Sequence, residues 1–100
     1  MEQTVFSVSE INREVKMFLE GTRTFKNIFI EGELSNITYY RSGHLYFTLK
    51  DSNASVKCAI FRYKYRNVPE DLKEGDSVKI RGNVTLYEAN GSYQIVADFL

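Results

Sequence analysis

Rings and cations alternate through the middle of this 100-residue chain. Tyr39, Tyr40, Tyr46 and Phe61 offer flat apolar faces, Arg41, Lys50, Lys57 and Arg62 offer positive charge, and His44 adds an imidazole. Such a set suits one kind of chemistry: a ring stacks on a planar base while a neighbouring cation pairs with a phosphate. These nine are the candidate ligand-binding residues. The charge supports them. The whole chain is neutral, with 13 basic and 13 acidic side chains. Residues 39–66 instead hold Arg41, Lys50, Lys57, Arg62, Lys64 and Arg66 against Asp51 alone, a local net charge of +5. A field acts through its local shape, so a basic block inside a neutral protein reads as a localised anion-binding face.

Bond-making constellations are absent by comparison. One His and one Cys exclude an internal disulfide and any site built from several cysteines. No Ser-His-Asp set, phosphate-cradling glycine loop or metal-ligand cluster is present. Glu31 and Glu33 form the nearest approach to a carboxylate pair, but i, i+2 spacing on a strand is that of a solvated face, and no His or Asp nearby completes a site. No catalytic residue, cofactor or metal is therefore expected in this domain. Cys58 falls on a buried phase and reads as a small core residue. The start of the chain, Met1-Glu2-Gln3-Thr4, lacks the basic and apolar regions of a signal peptide. No apolar run approaches the roughly 20 residues of a membrane span. These features suit a reducing cytoplasm.

The binding residues need elements to hold them. From His44 to Lys50 apolar and polar residues alternate strictly, with Leu45, Phe47 and Leu49 on one face and His44, Tyr46, Thr48 and Lys50 on the other. That is the period of a half-buried strand. Before it, Asn27–Ile37 reads as a long strand with Gly32 at a bend or bulge, and Thr38–Gly43 as a loop. After it, a turn at Asp51-Ser52-Asn53 leads to a third strand, Ser55–Arg62. There Val56, Cys58 and Ile60 face in, and Lys57, Ala59 and Phe61 face out. Residues 63–72 are charged, contain Pro69, and read as a short helix or loop. Ser77–Tyr87 and Tyr93–Phe99 are the fourth and fifth strands, joined across Asn90-Gly91, a strong hairpin signal. Near the start, Ser7 and Glu10 fit a capping box. Ile11, Val15, Phe18 and Leu19 follow as one apolar stripe, predicting a helix of about residues 7–20 packed by that stripe against the sheet.

Five strands over about residues 27–99, two with central glycines, and a longer connector after the third, describe a single mostly-β domain. The fold class is a five-stranded Greek-key barrel of the OB type, with an N-terminal helix and a short helix or loop between strands three and four. An SH3-like barrel is the competing architecture. OB barrels bind ligands across strands two and three, framed by the loops between strands one and two and strands four and five. The nine candidates fall on that surface or at its edge. On residues alone the ligand class stays open between single-stranded DNA, RNA and another protein surface.

Several segments resemble the large subunit of exodeoxyribonuclease VII. They are Val5-Phe6-Ser7-Val8-Ser9-Glu10-Ile11-Asn12, Ile30-Glu31-Gly32-Glu33-Leu34-Ser35-Asn36, Ser42 through Asp51, Lys73-Glu74-Gly75-Asp76 and Arg81-Gly82-Asn83-Val84-Thr85-Leu86-Tyr87. They occur in order over nearly the whole chain. The resemblance implies an N-terminal OB-fold domain that binds single-stranded DNA, in an enzyme that degrades such DNA from either end into oligonucleotides. It also implies that the catalytic domain is absent from this chain, and that a helical region binding the small subunit is absent too. An end in strand character at Phe99-Leu100 fits such a fragment. No membrane partner is implied.

Overall fold

In the computed structural model, which describes residues 3–66 and 68–100, the period-2 segments become the strands of one closed barrel. Met1, Glu2 and Asn67 lie outside the described residues, and with them part of the readings made of the opening residues and of the 63–72 connector. The strands are β1 (Ile28–Tyr39), β2 (Leu45–Lys50), β3 (Ser55–Ile60), β4 (Ser77–Tyr87) and β5 (Ser92–Phe99), arranged β1-β2-β3-β5-β4. β1 is the hinge of the closure. Its first half pairs with β4 from Ile28↔Gly82 to Glu33↔Ser77, and its second half pairs with β2 from Glu33↔Lys50 onward. A short parallel contact, Cys58↔Ile95 and Ala59↔Val96, joins β3 to β5 and seals the cylinder.

The core is the set of inward-phase residues. Leu34, Leu45, Phe47, Leu49, Cys58, Ile60, Ile80, Val84, Ile95 and Ala97 form one buried cluster. No buried polar or charged residue occurs among the described residues, and apolar burial drives the closure. Ala59 is buried although its strand phase points outward, because Tyr46 and Val96 flank it on the neighbouring strands.

Two sequence expectations move, beside a β3 that ends at Ile60 and leaves Phe61 and Arg62 in the turn after it. β1 runs on through Thr38 and Tyr39, which sequence assigned to a loop. It does so by a bulge at Asn36, where φ is +53 and the register with β2 jumps between Ser35 and Thr38. Asn tolerates this left-handed conformation better than most residues. Gly32 is not the bulge. It is a close approach, since a Cβ there would meet the Lys50 carbonyl oxygen at 2.8 Å and Leu49 Cγ at 2.9 Å.

The helix is the second change. α1 (Val8–Gly21) starts at the expected capping box: the Glu10 N–H donates to Ser7 Oγ and the Ser7 N–H to Glu10 Oε1. Its apolar stripe does not pack wholesale on the sheet. Leu19 reaches the core, Ile11 and Val15 are partly open, and Phe18 is 71% exposed. The reason is the choice of docking edge. Asn12, Lys16 and Glu20, spaced by four, lie along β4 and its turn: Asn12 Nδ2 donates to the Glu88 carbonyl, Lys16 pairs with Glu88, and Thr85 Oγ1 donates to Glu20. This polar edge adjoins the stripe and turns most of it away from the barrel. Among the described residues no helix is long and apolar enough to cross a membrane.

Candidate nucleic-acid interface

The two-sidedness of β2 builds the site. With Leu45, Phe47 and Leu49 held in the core, Tyr46 and Thr48 must face out, and their partners on β3 are Ala59 and Lys57. Tyr46 opens one wall of a hollow of about 710 Å³ across β2, β3 and the β4–β5 end. Tyr40, Tyr46, Lys57 and Phe61 line it from the predicted set. Tyr87, Tyr93 and Gln94 line it from the other side.

The rings are held in a staggered set with open faces. Tyr40 meets Tyr46 edge-on at 5.2 Å, Phe61 lies 6.4 Å from Tyr46, and His44 meets Phe61 at 4.9 Å. An edge-on contact fixes both ring planes and covers one face of one ring, so the remaining faces can take a stacked base. Lys57 supplies the charge, and among the described residues no carboxylate lines the hollow. Ion pairs among the described residues join Lys16 to Glu88 and Arg81 to Asp98, so the six cations of the central block have no carboxylate partner there. Asp51, the one acid in that block, is committed elsewhere. Its carboxylate accepts the N–H groups of Asn53 (2.8 Å) and Ala54 (2.9 Å), which hold its pKa below the usual value and pin the β2–β3 turn.

The other predicted residues spread around this centre. Tyr39 packs edge-on to Tyr63 at 5.1 Å. Burial there pushes its hydroxyl pKa up, reinforced by Tyr63, Asp71 and Glu70, so it stays a neutral phenol. Arg41 is exposed in the tight turn from Tyr40 to Gly43. His44 Nδ1 accepts the Arg62 N–H at 3.3 Å, which requires a lone pair on that nitrogen and gives the ring a bracing role. Arg62 opens onto a neighbouring hollow with Lys64 and Arg66. Lys50 lies at the opposite end of β2, in a hollow of about 760 Å³ shared with Glu31, Glu33 and Asp51. That hollow is slightly the larger, but its three carboxylates outnumber Lys50 and Lys79 and among the described residues no ring lines it, so chemistry rather than volume selects the aromatic one.

Sequence reasoning missed Tyr87, Tyr93 and Gln94. It took the Asn90-Gly91 tip as a frame without following the strands into the surface. The parallel β3–β5 closure brings Tyr93 and Gln94 alongside Lys57, and no local pattern announces that pairing. Cys58 is buried beneath the site. Desolvation pushes its thiol to about 12, so it is neither nucleophile nor ligand at neutral pH. Among the described residues no group of three or more His, Cys, Asp or Glu side chains could hold a metal ion.

A closed five-stranded barrel carrying a ring-lined groove across β2 and β3 defines an OB-type binding module, and the chain belongs to the OB-fold nucleic acid binding domain family, whose pattern matches residues 6–100. Its relatives are more particular. It is 53% identical over 98 residues to the exodeoxyribonuclease 7 large subunit of Fusobacterium nucleatum subsp. nucleatum, and 44% identical over 98 residues to that of Pseudomonas aeruginosa (strain LESB58). The match takes in 98% of this chain but 24% and 21% of those proteins, so the chain is homologous to a fragment, about a quarter or less of their length. The fold recurs in asparaginyl-tRNA synthetase from Pyrococcus horikoshii, with a TM-score of 0.62 and 17% identity, over 98% of this chain and 21% of that one.

Proposed function

We propose that this domain captures single-stranded DNA for an exodeoxyribonuclease VII large subunit, presenting the strand to catalytic residues that lie outside these 100. The observation that carries the reading is the groove itself: four tyrosines, Phe61 and Lys57 around one hollow that no carboxylate lines among the described residues. Paired bases hide their faces, whereas a single strand offers both faces and phosphates to such a surface. The names of the relatives favour DNA as the strand. They also support a nuclease role for the longer protein. Small-subunit binding through regions beyond this domain and residence in the cytoplasm belong to the same proposal.

Fluorescence anisotropy of a labelled dT oligomer tests the reading. Micromolar capture is expected at low salt, with log K falling against log salt at a slope of about −3, as for about four phosphates neutralised on a single strand. A duplex of equal length binds more weakly. Duplex binding as tight as single-strand binding, or no capture at low salt, overturns the proposal. A matched RNA oligomer that binds more tightly than DNA would reassign the ligand to RNA.

A further inference from the structure

The connector that follows β3 has the sequence Arg62-Tyr63-Lys64-Tyr65-Arg66, cation and ring in strict alternation. Its backbone is fixed rather than trailing. Arg62 adopts φ +53, the Tyr63 N–H donates to the Gly43 carbonyl at 3.0 Å, and a 3-10 turn spans Tyr63–Tyr65. Tyr63 turns in against Tyr39. The other four side chains turn outward, and Tyr65 is 87% exposed. The neighbouring hollow, about 520 Å³, is lined by Ser42, Gly43, Arg62, Lys64, Tyr65 and Arg66, again with no carboxylate among the described residues. Ser42 lines both this hollow and the aromatic groove, so the two are contiguous.

We propose that this connector is a second nucleotide subsite, which grips the strand as it leaves the groove. Arg62, Lys64 and Arg66 take its phosphates and Tyr65 stacks one base. The inference rests on the groove binding a single strand, and adds where that strand goes and how long it must be. A short oligomer fills the groove alone; a longer one passes Ser42 and reaches the connector. Arg62 and Lys64 sit on the two sides of the inward Tyr63, so a single phosphate-bearing chain can be held from both.

Titrations of dT4 and dT12 by the wild-type chain and by an Arg62→Gln, Lys64→Gln, Arg66→Gln variant test this. Glutamine keeps most of each stem and removes the charge, and all three sites are exposed, so the variant's melting curve should overlay the wild type. The expected result is stronger wild-type binding of dT12 than of dT4. The variant should lose about tenfold on dT12 and less than twofold on dT4, with the dT12 salt slope shallower by about 2, three phosphates at about 0.7 each. Tyr65→Ala should likewise lose about tenfold on dT12 alone, and Tyr65→Phe should keep the affinity. If the wild type captures both oligomers and these variants match it on both, or lose equally on both, the connector subsite is overturned while the groove stands. If the wild type captures neither, the groove reading fails and the subsite with it.

Discussion

Tyr46→Ala should weaken capture of a dT oligomer between about fivefold and about 150-fold, the range set by about 1–3 kcal/mol for one stacked base. Tyr46 stands on the outward face of β2 beside the rings of Tyr40 and Phe61, on a wall of the hollow. It is partly exposed, so the substitution removes stacking area from the ligand rather than filling from the core. Some packing over Ala59 is lost as well, and Tm should fall by no more than about 8 °C, equivalent to about 1–2 kcal/mol. Tyr46→Phe keeps the ring and should bind like the wild type. Lys57→Ala belongs to the same experiment with a different signature: it should cost affinity mainly at low salt and flatten the salt slope by about 0.7. Wild-type affinity in both Tyr46→Ala and Lys57→Ala would remove the groove from consideration.

The second large effect falls on the barrel rather than its ligand. Gly82→Ala should destabilise the domain by about 3 kcal/mol, lowering Tm by on the order of 15 °C. Gly82 sits where the β4–β5 register shifts, and an added Cβ would strike the Val96 carbonyl oxygen and come within 2.8 Å of Ala97 Cα. Those are backbone atoms of the strand that closes the cylinder, so they cannot swing aside as a side-chain tip would. Gly21→Ala supplies the contrast. Nothing lies within 4 Å of a Cβ there and its φ is outside the left-handed region, so the substitution should be neutral or stabilise by up to about 1 kcal/mol. Paired thermal melts of the two variants measure the difference. Equal melting temperatures would mean that β4 and β5 do not approach as closely as described.

What the sequence made legible follows from how sharply burial divides each strand. Leu45, Phe47 and Leu49 against Tyr46 and Thr48 is a two-state pattern, and the strand, its core face and its ligand face follow from it. The capping box at Ser7 and Glu10 is equally local, and so is the hairpin at Asn90-Gly91. What stayed hidden depends on partners far along the chain. The bulge at Asn36 shows only as an asparagine inside a strand, while Gly32, the more conspicuous residue, answers to crowding by Leu49. The helix stripe is truly amphipathic, but amphipathicity does not say which edge docks, and three polar contacts to residues more than sixty positions away decide it. Lys50 and Lys57 look alike as strand lysines, yet one sits among Glu31, Glu33 and Asp51 and the other among rings. The pairing of β1 with β2 puts Lys50 beside Glu33, and the closure of β3 on β5 puts Lys57 beside Tyr93.

That closure also frames the central claim, that the ring-lined face and not the acidic end of the barrel receives a single strand. Amide chemical-shift mapping of the isotopically labelled chain, titrated with a dT oligomer, addresses it in one experiment. The largest shifts should fall at Tyr46, Lys57, Phe61 and Tyr93, with little change around Glu31, Glu33 and Asp51 or along Val8–Gly21. Shifts centred on the acidic end or on the helix, with the amides around Tyr46 unmoved at saturation, would contradict it.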